Sequence, residues 1–213
     1  MSDEYPTRWH EKFFRSERVE LLSDGVFAIV LTLLVLDLKT PDLKDAKSIK
    51  ELWEAILQIM PHIRSFIIAF FYVFSLWFFH QNVFQLMVRI DKNIILFNAL
   101  ILFEVCLVPF SAVLMGRYPE NALAIIIFGI INFSTGLTFT FLTYYLIRKK
   151  EYITEYIDFI KLKNVLKFSF TGPVIFIIPI ALAFYWPIIS QVFYFCFILI
   201  GFIMTRSLQL KKS

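Results

Sequence analysis

Four ionisable side chains stand inside runs of sequence otherwise apolar enough to lie in a bilayer. Arg18 and Asp24 open the first run, His80 comes towards the end of the second, and Glu104 falls midway along NIILFNALILFEVCLVPF. A charge at membrane depth is costly unless it faces protein or water, so each is a candidate for an ion path, a proton relay or a buried polar network. Arg18 and Asp24 lie about 120° apart around a helix and cannot pair within it, so their partners must come from other runs. His80, in Trp77-Phe78-Phe79-His80-Gln81-Asn82, lies at the depth of Arg18 and Asp24, which suits a network joining the first two runs. Glu104 reads either as a hydrogen-bonded structural acid or as a proton or cation site.

The first run also carries a stripe. Arg18, Leu22, Gly25, Ile29, Thr32 and Leu36 recur at alternating intervals of three and four and share one side of a helix, flanked by Leu33. Such spacing serves as a seam packed on a neighbouring helix. It serves equally to line an axis ringed by several copies of the helix. Ile29, Leu33 and Leu36 would then form apolar constrictions and Thr32 a ring of hydroxyl groups.

The elements that must hold these residues are membrane helices. The composition is 59% hydrophobic and 18% aromatic over 213 residues, more apolar surface than one soluble core of that size covers. About 20 residues at 1.5 Å each cross roughly 30 Å of hydrocarbon. Runs of that length are expected at 18–38, 61–88, 93–116, 121–147, 164–185 and 187–205. The reading is an all-α membrane protein, one domain of six transmembrane helices over residues 1–213. Ser48 to Met60 is amphipathic, too short to span, and suits an interfacial helix.

Fifteen of the 21 basic residues fall on the side of the termini if both ends are cytoplasmic, Arg8, Lys12, Arg15, Lys211 and Lys212 among them. The net charge of +4 then follows from orientation and not from nucleic-acid binding. The first 17 residues are polar, so no cleavable signal sequence is expected. Cys106 and Cys196 lie inside runs without CxxC or Cys/His spacing. His10, His62 and His80 stand too far apart in depth to share a metal. There is no GxSxG, HExxH or Gly-rich phosphate loop. An enzyme is excluded on this reading, and neither metal nor cofactor is expected.

Arg18-Val-Glu-Leu-Leu22-Ser23-Asp24 followed by GVFAIVLTLLVLDL resembles the RxxxFSD signature that opens the first span of the transmembrane protein 175 family. The chain departs from it at Leu22, where the pattern has Phe. Trp77 and His80 in the second span and Asn93 and Asn98 at the start of the third are also similar to the family plan. The resemblance implies a potassium-permeable channel: a single six-span unit of prokaryotic type in the plasma membrane, assembled as a homotetramer whose first helices line one pore. It implies that Ile29 forms a hydrophobic gate, that Thr32 supplies hydroxyls, and that Leu33 and Leu36 add apolar layers further out. Arg18, Ser23, Asp24, Trp77 and His80 would form a structural network. No TVGYG loop is present, so a filter of backbone carbonyls is excluded and selectivity should be modest. The alternative is a proton-permeable or proton-coupled pathway with Asp24, His80 and Glu104 as relay groups, and a non-conducting scaffold is a third class.

Overall fold

A computed structural model describes residues 16–45, 47–153 and 159–209. Arg8, His10, Lys12, Arg15, Lys211 and Lys212 therefore lie outside the described residues. Among the described residues there are seven α-helices, α1 (Ser16–Leu33), α2 (Ile49–Gln58), α3 (Met60–Phe84), α4 (Lys92–Arg117), α5 (Ala122–Arg148), α6 (Phe159–Leu182) and α7 (Pro187–Gln209). Among the described residues there is no strand beyond an isolated bridge between Met87 and Ile153. The first run (Glu17–Asp37), α3, α4 and α5 are each long and apolar enough to cross a membrane. α6 and α7 contribute shorter apolar stretches, Ser169–Leu182 and Pro187–Gly201.

Local chemistry sets the boundaries. α1 tightens into a 3-10 turn over Leu34–Asp37, and the chain leaves the helical path at Leu38. The loop that follows is tied to α2: Ser48 caps the helix by accepting from the Glu51 amide, while the Glu51 carboxylate accepts from the Lys44 and Asp45 amides. Asp91 caps α4 through the Ile94 amide and Asn121 caps α5 through Leu123, each satisfying donors that a helix start leaves open. Short connections after α3, α4 and α6 make consecutive long helices neighbours. α5 packs on α4 and α6, α7 closes against α3 and α6, and α1 lies in the angle between α3 and α4.

Within a bilayer every freed backbone group needs a partner inside the protein. Pro173, inside α6, has no N–H, so the Ser169 carbonyl one turn earlier loses its helical bond. The Thr140 hydroxyl of α5 donates to that carbonyl at 2.6 Å, which compensates the break and fixes α6 against α5. Close backbone approach does the same on the next turns. A Cβ at Gly129 would land on the Tyr194 hydroxyl and the Ile180 side chain, whereas one at Gly172 would meet nothing.

Gly129→Ala should therefore lower the thermal unfolding midpoint of the detergent-solubilised protein, overpacking of this kind costing about 1–3 kcal/mol. Gly172→Ala should leave the midpoint unchanged or raise it, because Ala is the better helix former by about 1 kcal/mol. Equal midpoints for the two variants would contradict the packing of α5 on α6 and α7.

Candidate functional site

α1 divides into two faces of similar hydrophobicity and opposite fate. Ser23, Phe27, Val30 and Leu34 turn inward and are buried, Ser23 completely. Leu22, Gly25, Ile29, Thr32, Leu33 and Leu36 turn away from the rest of the chain, with Ile29 58% and Leu36 70% exposed. The stripe is thus not a seam within this chain. The Thr32 hydroxyl donates back to the Ile29 carbonyl at 2.8 Å, so its oxygen remains free to accept from outside.

Polar groups hold the inward face. The Asp24 carboxylate accepts from the Trp77 indole N–H at 2.9 Å and from the Gln81 amide, two donors one turn apart on α3. One turn of α1 is further anchored through Ser23, whose hydroxyl donates to the Val19 carbonyl at 2.8 Å and accepts from the Asn98 amide at 3.0 Å. The Asn98 carbonyl oxygen in turn lies 2.8 Å from Nε2 of His80. An oxygen acceptor there makes Nε2 the nitrogen that carries the proton. The His80 ring is fully buried, stacked on Phe84 at 4.0 Å and met edge-on by Phe27. Three helices, α1, α3 and α4, are joined by this one set of side chains.

Of the residues singled out from the sequence, Ser23, Asp24, Trp77 and His80 come together. Arg18 does not join them: it is exposed and, among the described residues, has no ion-pair partner. Glu104 sits apart, on the α4–α5 contact, where Oε1 accepts from the hydroxyls of Ser134 at 2.5 Å and Thr138 at 3.2 Å. Asp24, His80 and Glu104 therefore belong to two separate clusters. Sequence reasoning missed Asn98 as the hub and Gln81 as the second donor to Asp24. The available signal was an amide placed mid-helix among apolar neighbours, a residue type that membrane helices carry only with a partner.

The network's residues fall within the part of the chain that matches a known family. The family model described as Endosomal/lysosomal potassium channel TMEM175 matches residues 18–109, from the start of the stripe through Glu104. A potassium channel of Streptomyces collinus is 30% identical over 147 residues, covering 67% of this chain and 70% of that protein. The chain belongs to the TMEM175 family. The TMEM175 proton channel of Bos taurus is 39% identical over 89 residues, 39% of this chain and 19% of that longer protein. The crystal structure of a lysosomal potassium-selective channel TMEM175 homologue from Chamaesiphon minutus superposes with a TM-score of 0.78 at 26% identity, covering 89% of this chain and 97% of the other. The chain thus shares the fold of a TMEM175 channel homologue, and TMEM175 proteins are ion channels and not enzymes.

Because Asn98 bridges Ser23 and His80, losing either side of the bridge leaves the other with an unpaired buried group. Asn98→Ala and His80→Ala should each destabilise the protein by about 1–3 kcal/mol. The double variant should fall short of their sum by about 0.5–3 kcal/mol. Glu104→Gln combined with Asn98→Ala should be additive. Thermal unfolding of the five variants, Glu104→Gln alone included, checks this, and additive behaviour of the Asn98 and His80 changes would contradict a shared network.

Proposed function

We propose that the chain is a potassium-permeable, modestly selective cation channel: a homotetramer of six-span subunits with both ends cytoplasmic, in which four copies of α1 surround one pore. The observation that supports this reading is the outward stripe of α1. Its polar anchors fix the opposite face, which leaves Gly25, Ile29, Thr32 and Leu36 turned to whatever lies outside the subunit. The potassium channel of Streptomyces collinus and the potassium-selective channel from Chamaesiphon minutus support potassium as the permeant ion. A prokaryotic plasma membrane is the location this reading implies.

The mechanism follows from residue types. A ring of Ile29 side chains offers no oxygen to replace a hydration shell, so a closed ring blocks by excluding water and an open one passes an ion that keeps much of its water. Potassium sheds water more readily than sodium, and the free lone pairs of the Thr32 hydroxyls compensate part of what is shed. Leu33 and Leu36 add apolar layers beyond. Asp37, half-buried where α1 ends, raises the cation concentration near that mouth. Ser23, Asp24, Trp77 and His80 act on α1 and not on the ion, while Arg18 stands outside their network.

A proton-permeable pathway is the second reading. It is favoured by the match to the bovine proton channel over 39% of this chain.

Cation flux into liposomes holding the purified protein separates these readings. Wild type should favour potassium over sodium, and Ile29→Asn should raise flux about tenfold or more, equivalent to about 1.4 kcal/mol off the barrier. Thr32→Ala run alongside should narrow the preference for potassium. Flux of protons alone would favour the second reading, and no flux from intact tetramers would contradict both.

A further inference from the structure

A cavity of about 120 Å³ lies inside the subunit, away from α1, between α3, α5, α6 and α7. Its walls are mostly apolar, with Phe79, Phe176 and Ile198 among them, and Gly172 leaves open space where a side chain would stand. Two polar residues, Asn132 and Tyr72, stand in its wall. The Asn132 carboxamide is 99% buried, since its residue is only 1% exposed, yet neither its oxygen nor its nitrogen has a hydrogen-bond partner. The buried Tyr72 hydroxyl, beside Thr135 of α5, stands in the same wall. An unmet amide in a membrane protein's interior costs on the order of 1–3 kcal/mol for each group, so a bare cavity is an unfavourable end state for this sequence.

The chemistry of the occupant follows from the mismatch between head and body. Water meets the amide, but a water molecule needs two to four polar partners and takes about 30 Å³, and the rest of this space is lined by hydrocarbon. A ligand that fits the whole cavity has an apolar body and a single group that both donates and accepts. A hydroxyl does this with one atom, donating to the Asn132 oxygen while accepting from the Asn132 nitrogen or from Tyr72. Ile200 and the half-buried Gly201 and Thr171 stand at the rim, on the surface that lipid would touch, so the route in is from the bilayer.

We propose that this cavity is a binding site for a small membrane-soluble alcohol, held by its hydroxyl on the Asn132 carboxamide with its hydrocarbon among α3, α5, α6 and α7. The site is independent of the pore reading. It shares one wall with the pore's support, because Phe79 lines the cavity while the adjacent His80 turns to Asn98 on the other side of α3.

A medium-chain alkanol carrying a diazirine, applied to the protein in liposomes and mapped by mass spectrometry after illumination, tests this without reference to flux. Labelling should concentrate on cavity residues and be competed by the unmodified alkanol. Asn132→Leu, which keeps the side chain's size and removes its polar atoms, should cut cavity labelling about tenfold, equivalent to about 1.4 kcal/mol. Gly172→Leu, placed where a side chain meets open space, should cut it similarly by filling the cavity while leaving the amide intact. An alkane diazirine without the hydroxyl should label the cavity weakly and should be indifferent to Asn132→Leu. Equal labelling by the two probes, or undiminished labelling in both variants, would overturn the proposal. Absence of cavity labelling in wild type would also overturn it and leave Asn132 to water.

Discussion

The hydrophobic effect cannot choose which side of α1 faces outward. Leu22, Ile29 and Leu36 on one face are as apolar as Phe27, Val30 and Leu34 on the other, and lipid is as good a solvent as protein for both. What sets the rotation is the pair Ser23 and Asp24, whose partners Asn98, Trp77 and Gln81 stand on α3 and α4. Turning α1 by one residue, about 100°, would drag a hydroxyl and a carboxylate off these donors and leave the Asn98 amide nitrogen without its acceptor. Few kcal/mol are involved, but they are differential: they separate one rotation from the others, which apolar packing does not.

On the proposed reading, that constraint lets a helix with no polar filter line a channel. Apart from the Thr32 hydroxyl, the stripe carries no group that could replace a cation's water, so on that reading its effect on ions rests on where it points and how closely copies approach. Gly25 and the in-helix hydrogen bond of Thr32 keep the stripe slim near its middle, while Ile29 and Leu36 supply the bulk. The support lies in α3 and α4, and α5, α6 and α7 hold those two in turn, through Thr140 on the Ser169 carbonyl and Gly129 against Tyr194. Glu104, with its hydroxyl partners on α5, belongs to this outer support.

Much of this was legible in the sequence where the signal was one-dimensional. Apolar length places helices at α3, α4 and α5, and the three-and-four spacing puts Ile29, Thr32 and Leu36 on one side of α1. Trp77 and His80, three apart, announce a polar surface on α3 facing the first helix. Pairing across helices was not legible. Asn98 looks like an isolated amide until α4 is packed beside α1, and Ser134 and Thr138 look like ordinary helix-surface hydroxyls until Glu104 is opposite. The 3-10 turn at Leu34–Asp37 is set by tertiary packing and not by any breaker in LVLD. Arg18, first in the motif, has a charge that says nothing about its partner; it stays outside the network.

A cysteine scan along α1 would decide whether polar anchoring turns the stripe towards an aqueous axis. In a background lacking Cys106 and Cys196, single cysteines would be placed from Ser23 to Leu36 and exposed to a charged, water-soluble thiol reagent in open channels. The account predicts modification and loss of flux at positions 25, 29, 32 and 36, with protection at 27, 30 and 34, and loss of that periodicity when Asn98→Ala is added. Protection of both faces would mean that the stripe meets lipid, and uniform modification would mean that α1 has no fixed rotation; either contradicts the account.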